Sequence, residues 1–535
     1  MKKNVFRWIA LCLVMLFALT GCEPILPQLT LPNEPQVVAF QDMEYSRQDV
    51  SEIEKRQQAV MDSIEAGDTV EALMEKVFSF YELYNHYYTG YALANIYYSK
   101  DLTDSYWEEE YGFYMETSSQ VDATLDQMLY ALADHPKKDE LEVEEYFGEG
   151  FFDGYEGESI WDETFTALSE KEAALQAQYY EINGQAVDAE YYSDAFFKTY
   201  GAQLADIYVE LVKVRQEMAT YAGYADYPSF AYDFNYGRDY TPEQAVVLMA
   251  DIEKELVPLY NNIDYSPLYS IYGKVCSKSD TFAYVKSCAQ NMGGVMAEAF
   301  ELMETAGLYD INYDPNKYDA SFEIYISDYY EPYVFVNPAG NVQDKLTFVH
   351  EFGHFSNDYA SFGTRAGIDV AEFFSQGLEY LSLSYADGGQ ELAYLKMVDA
   401  LSLYVEQTAY STFEHRVYSL TGDQITKENI FDIYKNVGEA FGFAGSGWDY
   451  RDFVLVPHFF ISPMYIISYV VSNDAALQLY QLEQAEKGAG AAKYMENLDT
   501  MEAQFLGFVQ SAGLESPFVE GRIAKVRKTF EDILK

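Results

Sequence analysis

The sequence predicts a mainly α-helical protein with one small β-sheet, and three observations predict it. From about residue 46 to 225, acidic faces alternate with Tyr, Leu and Ala stripes at helical spacing, and prolines are few. A single Tyr-rich, β-prone run, Phe322 to Asn337, interrupts a C-terminal part that otherwise reads as helical. Finally, His350-Glu351-Phe352-Gly353-His354 places two imidazoles at i and i+4, a spacing that brings them to one face only on a helix.

Composition bounds the rest. With 34 basic against 87 acidic residues the net charge is −53. Such a surface repels phosphate backbones and anionic headgroups, so nucleic acid is excluded as a partner, as is direct adhesion to an acidic membrane. The chain is nevertheless 49% hydrophobic, with 51 Tyr and 35 Phe, and so builds a large core instead of remaining an acidic disordered chain.

Taken in order, residues 1–21 read as a signal peptide. Lys2, Lys3 and Arg7 precede the apolar run Trp8 to Leu19, which is too short to span a bilayer comfortably. Leu19-Thr20-Gly21-Cys22 resembles a bacterial lipobox, which implies cleavage before Cys22 and lipidation of its thiol. The expectation is an exported lipoprotein, held on the outer side of the bacterial cytoplasmic membrane through Cys22 alone. Residues 22–45, with Pro24, Pro27, Pro32 and Pro35, lack helical periodicity and read as a tether. Of the remaining cysteines, Cys276 and Cys288 could form one small-loop disulfide or remain two buried thiols.

Residues 46–225 form an N-terminal helical domain with no chemical motif, where His86 and His135 read as ordinary helix or loop residues. Residues 226–535 follow as a second domain. Within Asn235-Tyr236-Gly237-Arg238-Asp239-Tyr240-Thr241-Pro242-Glu243-Gln244, Thr241 is an N-cap, Pro242 the first helical residue and Gln244 the third. The β-prone run predicts two strands joined near Ser327 to Pro332. An edge strand there would let an extended peptide add backbone hydrogen bonds, and a purely structural hairpin fits equally. Pro338-Ala339-Gly340 breaks the run, and Asn341 with Asp344 offers an N-cap and a first-turn acid.

The helix that follows carries the motif about two turns in. Zinc takes imidazole nitrogens at about 2.0–2.1 Å and keeps an open position in catalytic sites. Glu351, rotated about 100° from His350, faces that open position and is the candidate general base. A third ligand must come from elsewhere. From Gly367 to Leu383, Asp369, Glu372, Gln376 and Glu379 recur along one face, with Val370, Phe373, Phe374, Leu378 and Leu381 on the remaining arc. A solvated acidic stripe has the same pattern, but beside a two-histidine site Glu372 is the candidate ligand. Asp369 and Glu379 are then candidates to orient the imidazoles. Asp358 could do the same or be a surface acid.

These residues resemble the metal-binding core of the thimet oligopeptidase and oligoendopeptidase F family of zinc peptidases. The resemblance rests on His350 to His354 and on Asp369-Val370-Ala371-Glu372-Phe373-Phe374-Ser375-Gln376-Gly377-Leu378-Glu379. It implies one Zn²⁺ per chain on His350, His354 and Glu372, and a zincin-like helical metallopeptidase. It further implies a small sheet beside the active-site helix and a deep channel between two helical halves. It makes residues 226–535 the zinc-dependent catalytic domain.

Glu406 to Arg416, which holds His415, and Leu420 to Phe443 read as later helices. In Pro457-His458-Phe459-Phe460-Ile461-Ser462-Pro463-Met464-Tyr465-Ile466-Ile467-Ser468-Tyr469, the aromatic residues by themselves read as core packing. The resemblance implies that His458, Tyr465 and Tyr469 are catalytic, donating hydrogen bonds to the substrate carbonyl and its oxyanion.

The expected function is that of a monomeric zinc oligoendopeptidase cleaving internal bonds of short peptides, with metal-activated water and Glu351 as base. The alternatives are a dipeptidyl carboxypeptidase or carboxypeptidase acting on peptide ends, and a non-catalytic peptide-binding lipoprotein.

Overall fold

A computed structural model describes residues 37–143, 146–155, 159–185, 193–363, 367–443, 448–500 and 502–534. The signal segment and Cys22 lie outside the described residues.

Three long helices, Val50–Ala66, Val70–Lys100 and Ser105–Ala133, begin the fold. Each starts at a polar side chain that accepts from a first-turn N–H: Asp49 from Ser51, Thr69 from Ala72, and Asp104 from Tyr106 and Trp107. They share an apolar cluster running from Ile53 to Phe152. A second, larger cluster takes in Phe165, Leu204 to Val212 and most of the chain to Phe530. The core therefore divides near residue 160 and not at the expected boundary of 225, because helix α1 (Ala202–Tyr221) buries its apolar face in the C-terminal body. The expected tether also ends earlier. Phe40 and Met43 are buried in the larger cluster, and the Val38 N–H donates to Glu331 Oε1 at 2.9 Å.

The sheet has three strands, β1 (Tyr309–Asp310), β2 (Ser321–Ile326) and β3 (Glu331–Val336), in the order β1-β3-β2. β2 pairs antiparallel with β3 in the register Phe322↔Phe335, and β1 pairs parallel with it. The join is a short 3-10 turn, Ser327–Tyr329, followed by Tyr330 in the left-handed region (φ 55°). The expected hairpin is present, with β3 central and β2 the longer of the two edge strands.

Helix α2 (Gln343–Ser361) follows β3. Its entry differs by one residue from the expected cap: Asn341 Oδ1 accepts from the Gln343 N–H, while the Asp344 carboxylate takes the N–H groups of Ala339, Gly340 and Asn341. Helix α3 (Ile368–Tyr385) packs on α2 and on α5 (Ile467–Ala485), with α4 (Ala393–Tyr418) against α5. α4 is longer than the predicted Glu406 to Arg416, because its N-terminal half is buried on nearly every side and shows no amphipathic period. The predicted helix from Leu420 to Phe443 contracts to Lys427–Ala440. The capping box at Thr241 and Gln244 is formed as predicted. Cys276 and Cys288 are both free and buried, and burial pushes the Cys288 thiol up to about 12. No helix among the described residues is long and apolar enough to cross a membrane.

Candidate active site

Glycine makes the site possible. A Cβ on Gly353, inside the motif, would lie 2.6 Å from Ser375 Cα and 2.7 Å from Phe374 O, so α2 and α3 touch backbone to backbone there. That approach brings Glu372, one turn before Ser375, against the two imidazoles. Ligand atoms of His350, His354 and Glu372 all lie within 4.8 Å of one another, the one such cluster of three among the described residues. His350 Nε2 is 3.6 Å from Glu372 Oε2.

Glu379 holds His350 from behind, with Oε1 2.8 Å from Nδ1, which leaves Nε2 turned to the cluster. Lys396, itself buried, donates to the other oxygen of Glu379 at 2.9 Å. Burial resists ionisation of Glu379, but Lys396 and His350 together hold it below the usual carboxylate range. Glu379 thus holds an imidazole by hydrogen bond.

Asp369 does not. Its Oδ2 accepts from Tyr240 Oη at 2.8 Å and lies 3.3 Å from Arg238 Nε, so it anchors a cation and not a histidine. It begins the first turn of α3, whereas Glu379 is nearly three turns further along the same helix. Asp358 is buried and not a surface acid. His86 pairs with Asp328 (2.6 Å), His135 accepts from the Lys137 N–H, and His415 meets Tyr232 Oη at 3.0 Å, all apart from the cluster.

Burial sets the protonation of the cluster. Buried Glu351 is pushed up to about 8, and Glu372 is raised for the same reason. His354 is kept neutral by burial and by the neighbouring His350. Burial also opposes a charge on His350, but its hydrogen bond to Glu379 and the nearby Glu372 outweigh this and lift it to about 9. Two imidazoles and one carboxylate could together hold a metal ion, and this donor set, with a buried acid beside it, fits zinc.

The tyrosine segment closes over the cluster. Pro457–Ile461 is a short helix carrying His458, Met464 sits in the left-handed region (φ 65°), and α5 begins at Ile467. Tyr465 Oη donates to Glu372 Oε1 at 3.2 Å, and Tyr469 Oη lies 3.4 Å from His458 Nε2. Tyr465 precedes the helix and Tyr469 lies within it. Their phenols are nonetheless neighbours, with ring centroids 5.3 Å apart. Burial keeps His458 neutral, near 4, and holds both phenols protonated, hence able to donate.

Arg215, Arg238, Lys396 and Gly353 were not singled out by the sequence as site residues. Arg215 on α1 is fully buried and donates to the carbonyls of Phe459 (2.8 Å) and Phe460, fixing the helix that bears His458. Each of these four residues works through contacts to distant parts of the chain. Only Gly353 left a local trace, as a helix-weakening residue in mid-helix.

Burial raises several buried acids well above the usual carboxylate range: Asp399 and Glu406 to about 7 and Glu414 to about 8. Their folded pKa values exceed the unfolded ones, so the folded protein binds more protons and loses stability as pH rises through that range. Below about 6.5 the neutral buried His354 and His458 act in the opposite sense. The melting temperature of the metal-free protein is therefore expected to fall by a few degrees from pH 6.5 to 8, and Glu414→Gln to flatten the fall. A flat or rising profile in calorimetry would contradict this.

Fold and site define a class: a helical, zincin-like protein in which a two-histidine helix and a glutamate helix meet beside a small sheet. Comparison with known proteins agrees. Residues 40–159 match the peptidase M3 N-terminal domain, a span that ends where the core divides. The chain is 26% identical over 222 residues to oligopeptidase PepF of Bacillus subtilis (strain 168), a match covering 38% of this chain and 33% of that protein. In fold it is similar to a crystal structure assigned as oligoendopeptidase F (TM-score 0.79, 21% identity, 93% of this chain and 98% of that one). It is similar also to PZ peptidase A with an inhibitor (TM-score 0.79, 19% identity, 92% and 99%). An oligoendopeptidase F assignment from Bacillus anthracis str. Ames gives a TM-score of 0.77 at 21% identity, over 94% and 98%. The chain thus carries an M3-type N-terminal segment over residues 40–159 and has the fold of the oligoendopeptidase F structures.

Proposed function

We propose that the protein is a zinc-dependent oligoendopeptidase that hydrolyses internal bonds of short peptides. The observation that carries this is the convergence of His350, His354 and Glu372 with buried Glu351 beside them, in the fold of oligoendopeptidase F. His350, His354 and Glu372 would hold the zinc, which when bound supplies Lewis acidity at the scissile carbonyl and lowers the pKa of a water. Glu351 takes the proton of the attacking water and returns it to the leaving amine, a task suited to a carboxyl that burial brings near neutrality. Tyr465 and Tyr469, with His458 behind Tyr469, donate to the developing oxyanion. Glu379 and Lys396 keep His350 oriented throughout. The edge strand β2 is the candidate to align an extended peptide. The acidic chain favours cationic peptides. We infer further, from the lipobox-like Leu19 to Cys22, that the protein acts outside the cytoplasmic membrane, anchored through Cys22.

The test is hydrolysis of an internally quenched, end-capped peptide of about ten residues, cleavage being read by mass spectrometry. Internal cleavage that a chelator abolishes and zinc restores is the expected result. Cleavage only of free-ended peptides would move the reading to a carboxypeptidase or dipeptidyl carboxypeptidase. Zinc and peptide binding without hydrolysis would make the protein a peptide-binding lipoprotein.

A further inference from the structure

The residues around Tyr465 are an irregular bridge between the helices Pro457–Ile461 and Ile467–Ala485, without a continuous helical ladder of its own. It has a few local turns, Tyr465 N–H to the Ser462 carbonyl and Ser468 N–H to the Tyr465 carbonyl, and other polar groups are met by side chains from far away in the sequence. Arg238 is buried, and its Nη1 donates to the Met464 carbonyl at 2.9 Å. Its Nη2 donates to the Ser468 hydroxyl at 2.7 Å and reaches the Tyr465 carbonyl at 3.4 Å. Tyr236 Oη donates to the Pro463 carbonyl at 2.8 Å, and Glu414 Oε1 accepts from the Met464 N–H at 2.8 Å. The other side of the same guanidinium, Nε, lies 3.3 Å from Asp369 on the first turn of α3, the helix that carries Glu372. Tyr232 and Tyr236 box the cation, with ring centroids 4.4 and 4.5 Å from its central carbon.

We propose that Arg238 is a positioning residue that fixes the register between α3 and the Pro463–Ser468 bridge, so that the Tyr465 phenol is held against Glu372. One planar cation touches both elements at once, with the carboxylate on one edge and carbonyl and hydroxyl on the other. A lysine ammonium, a point charge on a flexible stem, cannot satisfy that fork. The inference rests on the proposed role of Tyr465 as an oxyanion donor. It gives Asp369 a definite task, which is to anchor Arg238.

The test combines kinetics on the zinc-loaded full chain with a signal that needs neither metal nor turnover. Arg238→Lys is expected to lower kcat by about 10–100-fold while KM stays within about threefold, since the donor is displaced and not removed. In a Tyr465→Phe background the same substitution should add almost nothing, because Arg238 acts through that phenol. With 3-fluorotyrosine at position 465 of the metal-free protein, Arg238→Lys should shift or broaden the ¹⁹F resonance. An unmoved resonance with unchanged kcat overturns the proposal, as do losses that multiply in the double variant. If Arg238→Lys does not fold, Asp369→Asn, which keeps shape and leaves Arg238 in place, is read by the same criteria. Should the unmodified protein hydrolyse no peptide, the function reading fails, and the fluorine signal alone decides the bracket.

Discussion

Glu351→Gln is expected to lower kcat on an end-capped peptide by about 10²–10⁴-fold with zinc content unchanged, the range over which a positioned general base contributes. The side chain is buried beside His350 and Glu372 but is not needed to complete the ligand cluster. The amide keeps the shape and loses the ability to take a proton. Because burial already holds the carboxyl near 8 in the metal-free protein, Gln replaces a group that is mostly neutral at pH 7. The folded state is thus no less stable, and above pH 7 more stable, since the cost of keeping a buried acid protonated disappears. Matched measurements of kcat, bound zinc and melting temperature check this. Activity within about threefold of the parent, with zinc bound, would place the base elsewhere.

Gly353→Ala is the second large effect, and its sign is opposite to what helix propensity alone gives. In an isolated helix the change stabilises by about 1 kcal/mol. Here the new methyl would stand 2.6 Å from Ser375 Cα, and the obstacle is backbone that cannot rotate away. α2 and α3 must separate, which by the usual cost of overpacking destabilises by about 1–3 kcal/mol. Separation also pulls Glu372 from His350 and His354, so zinc affinity should fall together with stability. Urea unfolding and competition with a chromogenic chelator measure both. Retained affinity at parental stability would show that the helices do not need their contact.

Much of the site was readable because it is local. The His350 and His354 pair and the base between them follow from helical period, and the acidic face of residues 369–379 follows from the same period on the next helix. The zinc-peptidase resemblance then added the tyrosines. The division of labour within that face was not readable: Glu379 turns to His350 while Asp369 turns to Arg238. Period places residues on a face, but which neighbour covers each turn of that face depends on packing.

The sequence by itself determined the helical body, the hairpin of β2 and β3, the capped start at Thr241 and the spacing of the metal-ligand candidates. These rest on backbone geometry repeating over a few residues. Only the tertiary structure decided where the core divides, that Gly353 is a contact and not a flaw, and that Arg238 grips carbonyls 226 and 227 residues away. The reason is physical. Buried polar groups must find partners wherever the fold brings them, and no local period records which distant element arrives.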